Sequence, residues 1–222
     1  MIAPGASTVF WLSYRNDAGT IDSFARSQAD FRAAFPQGAP GYDIVRVTGQ
    51  AGMANGGGRG IRIVGADGSE ISESSYAAGQ VGENIAAHFG VPSSGSGTDA
   101  EFRAKGAPTP GIIDPAVLQP VVTTQPDPQV PSPGAPTAGA GDHWPLVVTE
   151  ILPDTTGTDR FEFFEVANLS GQAVTVGSGG YRFAYTYVDS DDRAQDVALT
   201  VPAGTTIAAG GVTVFWIDYA VS

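Results

Sequence analysis

Ile207-Ala208-Ala209-Gly210-Gly211-Val212-Thr213-Val214-Phe215-Trp216-Ile217-Asp218-Tyr219 closes the chain, a glycine turn feeding a run of β-branched and aromatic residues that reads as a strand. The same pattern opens it. Ile2-Ala3-Pro4-Gly5-Ala6-Ser7-Thr8-Val9-Phe10-Trp11-Leu12-Ser13-Tyr14 is identical at eight of thirteen positions, without a gap, at a constant offset of 205. Self-similarity at a fixed offset marks a repeat. The 222 residues therefore span slightly more than one 205-residue repeat, cut in mid-repeat. Residues 1–113 read as the C-terminal part of one repeat and 146–222 as the N-terminal part of the next.

The boundary between the parts is compositional. Residues 114–145 are rich in Pro, Gly, Ala, Thr and Val and include Gln125-Pro126-Asp127-Pro128-Gln129-Val130-Pro131-Ser132-Pro133. Such a stretch favours extended polyproline-like backbone and supplies no packed face, so it reads as a linker. A ligand for a partner's proline-binding groove is the functional alternative. Rejoined across this spacer, the two parts are complementary and predict one β-sandwich, closed within a chain or between neighbouring chains. One sandwich needs one Thr-Val-Phe-Trp strand and the chain has two. The spare copy then pairs as an extra edge, packs elsewhere, or stays exposed as a template for assembly.

Working inward from the C-terminal copy, Val197, Leu199 and Val201 alternate, as do Tyr181, Phe183, Tyr185 and Tyr187. The aromatic row is expected to be core, with a stacking platform for sugars or bases as the functional alternative. Leu146–Leu152 and Phe161–Leu169 are further strand-like runs. In the first part, Thr8–Tyr14 and Tyr42–Thr48 read as strands, and Gly60–Val64 with Glu70–Tyr76 as a hairpin turning through Asp67-Gly68. One helix is predicted over Ser23–Phe35, with Phe24, Phe31 and Phe35 on one stripe, Asp22 or Ser23 as cap and Pro36 as stop. It is expected to dock on the sheet as a lid. The fold class is all-β, a sandwich with one short helical insertion and a proline-rich linker.

Composition narrows the function. Gly and Pro number 30 and 16, and charged residues are only 15% of the chain, which suits short strands and many turns. The formal charge is −12, and Lys105 is the only lysine, so nucleic-acid binding, which needs phosphates neutralised by Lys and Arg, and attraction to anionic membranes are disfavoured. With no cysteine there are no disulfides, thiolate metal sites or cysteine nucleophiles. No apolar run approaches the ~18 residues of a membrane span, and Met1–Tyr14 lacks the basic start of a signal peptide.

Three stretches together resemble a known family. Val148-Thr149-Glu150-Ile151 and then Glu162-Phe163-Phe164-Glu165-Val166-Ala167-Asn168 look like the opening strands of the bacterial lamin tail domain. Asn55–Gly68 resembles its penultimate hairpin, and Phe102 with Gly106–Gly111 its closing segment. The order departs from the family: the opening strands come last, in keeping with the mid-repeat reading. The resemblance implies an immunoglobulin-like sandwich. It also implies a non-catalytic module of a secreted or cell-surface bacterial protein, often attached to extracellular nucleases or phosphatases.

The search for chemistry names no catalytic, cofactor or metal residue, and the chain is expected not to be an enzyme. His88, in a short helical turn, and His143, in the linker, cannot make a zinc site between them. Glu162 and Glu165 lie three apart on a strand and so face opposite ways; each is expected to meet an arginine or a backbone donor. Asp189, Asp191 and Asp192 form the densest acidic cluster, a solvated hairpin tip whose calcium binding is left open because it lacks the spacing of an EF-hand loop. Gly49–Gly60 carries no phosphate-loop signature and reads as a loop with positive-φ positions. The expected partner is protein, including a second copy of the chain. The alternatives are a subunit polymerising head to tail by strand sharing, and an accessory region of an extracellular nuclease or phosphatase.

Overall fold

Among the described residues the alternating runs build two β-sheets packed face to face and a separate two-stranded pair, an all-β sandwich capped on one side by a short helix. The computed structural model describes residues 7–8, 10–11, 13–14, 22–50, 52–92, 98–114, 145–157, 159–190, 192–209 and 212–219, with backbone alone for 7–14 and 213–219. In chain order the first elements are β1 (Ser7–Thr8), β2 (Phe10–Trp11), β3 (Ser13–Tyr14), α1 (Gln28–Ala34) and β4 (Ile44–Thr48). Next come β5 (Arg59–Val64), β6 (Glu70–Tyr76), β7 (Ala86–Gly90) and β8 (Glu101–Gly106). After residues 115–144 follow β9 (Leu146–Leu152), β10 (Phe163–Asn168), β11 (Val174–Thr175), β12 (Arg182–Thr186), β13 (Val197–Leu199), β14 (Thr206–Ile207) and β15 (Val212–Tyr219). The linker and His143 lie outside the described residues.

The larger sheet runs β8-β7-β9-β10-β15, antiparallel throughout, and β4 adds to β15 in parallel. The smaller sheet is β13-β12-β5-β6, all antiparallel. Both sheets draw strands from either side of the linker. β12 pairs β5 over five residues, β9 pairs β7, and β15 pairs β4.

Between the sheets Phe164 meets Phe183 edge-on at 5.6 Å, with Ile61, Ile63, Val148 and Tyr185 fully or almost fully buried around them. Phe183 and Tyr185 are core, and Tyr181 and Tyr187 are partly buried against it. The small serines of β6 let the sheets approach closely. Ser72 Oγ donates to the Leu146 carbonyl at 3.0 Å and Ser74 Oγ to that of Val148 at 2.9 Å. At the far end of β10 the buried Asn168 amide donates to the carbonyls of Ile207 and Ala208, tying β10 to the chain that leads into β15.

The outer face of the large sheet is covered too. The helix begins one turn later than the sequence predicts, at Gln28, because Ser27 and Asp30 form a capping box there. Phe24 is thereby left off the helix. Phe31 and Phe35 pack edge-on against Phe163 at 5.7 and 5.5 Å, so the helix docks as a lid.

Two other expectations change. His88 sits on β7, opposite Glu150 of β9, rather than in a helical turn. Ala and Gly have little intrinsic strand preference, and pairing to β8 and β9 on both edges supplies what propensity does not. The Asp67-Gly68 turn does close the hairpin, but through five residues: Gly65 N–H donates to the Ser69 carbonyl at 2.7 Å and only Gly68 has positive φ, +90°. The Asp67 carboxylate, accepting from Ser69, does the work that a second positive-φ residue would do in a two-residue turn.

Candidate functional site

β9 carries one extra residue relative to β10. Leu146 opposes Asn168 and Leu152 opposes Phe163, so six steps on one strand match five on the other. Such a bulge re-aims side chains. Here it turns two consecutive residues, Thr149 and Glu150, towards the same cavity as Glu165. The cavity holds about 410 Å³ and is also lined by His88, Arg103 and Ile112.

Glu150 and Glu165 are each 1% exposed, with no arginine or lysine as ion-pair partner among the described residues. Their partners come from the segment that crosses over them. Thr109 N–H donates to Glu150 Oε1 at 2.9 Å, and Gly111 N–H donates to Glu165 Oε2 at 2.7 Å. Thr149 Oγ1 donates to Glu165 Oε1 at 2.7 Å. Gly111 has φ +81°, and a Cβ there would fall 2.7 Å from the Tyr42 ring, so only glycine brings this N–H down to the carboxylate.

Burial dominates the electrostatics. It pushes Glu165 up to about 7, against the Thr149 and Gly111 hydrogen bonds that favour its charged form. Glu150 is raised well above the usual carboxylate range by burial and then by the charge of Glu165, opposed by Thr109. Burial raises Tyr42 to about 12 and lowers His88. The pair therefore prefers to hold at least one proton near neutrality.

Glu162 occupies a different place. It accepts from Met53 N–H at 3.2 Å, beside a second cavity of about 400 Å³ lined with Arg59, Asp159, Tyr185 and Tyr187. Burial raises it well above its ordinary value, helped by the charge of Asp159. Glu162 and Glu165 thus serve separate cavities, and each meets a backbone donor. The pair that does come together, Glu150 with Glu165, escaped the sequence reading because strict alternation puts Thr149 and Glu150 on opposite faces. Its only available signal was a glutamate inside an otherwise apolar and β-branched run.

The acidic tip is engaged locally. Asp189 pairs with Arg59 at 2.6 Å, and Asp192 caps a short 3₁₀ turn by accepting from Ala194 N–H at 2.9 Å; Asp191 lies outside the described residues. Among the described residues no helix is long and apolar enough to cross a membrane, and no group of three or more His, Asp or Glu is placed to hold a metal ion. No protein-family model, curated protein or solved structure matches the chain.

Proposed function

We propose that the chain is a non-catalytic structural and interaction module of a secreted or cell-surface bacterial protein built from lamin-tail-like repeats, with protein as its partner. The observation that supports this is the engagement of its buried acids. Glu150, Glu162 and Glu165 each accept a backbone N–H from a loop crossing the sheet, from Thr109, Met53 and Gly111 respectively. A carboxylate bound in this way fastens a loop to the sheet. Acid–base catalysis on a glycosidic or phosphoester bond needs carboxylates whose oxygens face the substrate or a metal.

Incubating the chain with an activated phosphodiester and Mg²⁺, Mn²⁺ or Ca²⁺ tests the reading against the accessory-nuclease alternative. Turnover no faster than buffer is expected. Metal-dependent turnover that disappears in Glu150→Gln or Glu165→Gln would overturn the proposal.

A further inference from the structure

The duplicated end strands meet at one place in the fold. β15 pairs antiparallel with β10, Phe215 opposite Phe164, Val214 opposite Glu165, Thr213 opposite Val166 and Val212 opposite Ala167. β2 pairs with the same edge, Phe10 opposite Phe164 and Trp11 opposite Phe163. Phe10 and Phe215 are 205 residues apart, the offset of the sequence repeat. Both copies therefore claim one edge in one register. They also lie along each other in parallel, Ser7 against Val212 and Tyr14 against Tyr219, again residue i against i + 205.

A strand has two hydrogen-bonding edges. β10 gives one to β9, which leaves a single edge for two equivalent claimants. In the structure that edge is divided: Trp11 takes Phe163, residues 212–214 take 165–167, and Phe164 faces both copies. Neither copy can hold the whole ladder while the other is there. One is always surplus, and a surplus strand is a template for pairing with another chain.

We propose that the edge of β10 not taken by β9 is a receptor for the Thr-Val-Phe-Trp strand of a second copy of this chain, so that chains join by strand exchange. The exchanged strand is residues 7–14, entering antiparallel to β10 with Phe10 opposite Phe164. The receptor recognises its own sequence, since the incoming strand repeats β15 at Thr, Val, Phe, Trp and Tyr. In the intact protein β15 stays tethered to β14 by four intervening residues, which gives it a high effective concentration at the receptor. Exchange is therefore slow and rises with chain concentration. This inference deepens the reading as an interaction module by naming the partner.

Light scattering on the full chain decides it. The mass should climb from monomer with concentration, and Phe10→Pro, which removes a backbone N–H and disfavours strand pairing in the amino-terminal copy alone, should hold it at monomer. A particle that stays monomeric at every concentration overturns the proposal, and so does a mass increase indifferent to Phe10→Pro. Because the chain has no cysteine, register is read by mixing a Ser7→Cys chain with an Ala167→Cys chain under mild oxidation. The antiparallel register sets these residues opposite each other, within disulfide reach. A reducible heterodimer is expected, with much less from the one-residue slip Ala6→Cys; equal yields from both would refute the register. A monomeric result leaves the non-catalytic reading standing, whereas metal-dependent turnover would remove that reading and leave strand exchange untouched.

Discussion

Phe164 and Val166 of β10 face the smaller sheet, while Phe163 and Glu165 face the roof formed by α1 and residues 107–114; none of the four is more than 1% exposed. The two faces exclude water by different physics. The inner face is closed by apolar contact around the Phe164–Phe183 pair and by hydrogen bonds between groups that do not titrate, the Ser72 and Ser74 hydroxyls on the Leu146 and Val148 carbonyls. The outer face combines an aromatic clasp, Phe31 and Phe35 on Phe163, with hydrogen bonds from loop backbone to carboxylates that burial makes reluctant to ionise. Inner-face stability should hence be insensitive to pH, while the roof should loosen as its acids lose their protons.

The strongest way to break that contrast is at the inner face. Phe164→Ala empties a fully buried site between two sheets that cannot collapse onto it. It should cost about 3–5 kcal/mol and lower the denaturant midpoint by the same amount at pH 5 and pH 8. A loss that differs sharply between those pH values would mean the two faces are not separable.

The next effect belongs to Glu165. Its folded pKa stands near 7, above its ordinary 4.5, so between those values the folded chain binds more protons than the unfolded one. Stability from this group is full below about 4.5 and is lost as pH rises through 7, by about 3 kcal/mol if the whole shift is expressed. Glu150 and Glu162, also raised, act in the same direction, and His88, lowered by burial, acts against them below its ordinary pKa. Thermal melts should move up by several degrees from pH 8 to pH 5. Glu165→Gln should flatten that slope, because Thr149 can turn its hydroxyl to the Glu165 backbone carbonyl, 3.4 Å away, and accept from the amide. An unchanged slope in this variant would show that Glu165 is not the titrating group.

A smaller effect sharpens the same point. Thr149→Val keeps the shape and removes the hydroxyl that donates to Glu165 Oε1, at a cost of about 1–2 kcal/mol at pH 8. It also removes a contact that holds the Glu165 pKa down, so the pH midpoint of the melt should move higher. A midpoint that moves lower would contradict the assigned donor.

How much of this was readable in advance divides along the same line. Alternation at Val197, Leu199 and Val201, and at Tyr181 to Tyr187, predicts inward faces because a half-buried strand has period two, and those side chains do pack on the core. The aromatic lid was legible from Phe31 and Phe35, although its first turn was not, since Ser27 with Asp30 competes with Asp22 as the start and wins through the reciprocal hydrogen bonds of the box. The carboxylate pair was illegible. Glu150 reaches Glu165 only through a bulge between strands joined by no sequence rule, and β7, which flanks β9 with His88 opposite Glu150, is held by its neighbours rather than by its own residues.

The least expected effect comes from the acid that looks best paired. Asp189 meets Arg59 at 2.6 Å, but its carboxylate is half-exposed, whereas Glu165 is buried with no arginine partner among the described residues. The hydrogen bond from Arg59 lowers the Asp189 pKa, so its contribution is present above the unfolded value and lost as pH falls through the lowered one, the reverse of Glu165. Solvent screens that contribution, and the Arg59 guanidinium keeps its seat 4.4 Å over the Tyr187 ring without the aspartate. Asp189→Ala should accordingly leave the melting temperature unresolved from the parent chain at pH 7 and leave the pH 8 to pH 5 rise intact. A clear loss of stability at pH 7 would place part of the sandwich's closure in the acidic tip, and the contrast between the faces of β10 would no longer account for where this molecule feels pH.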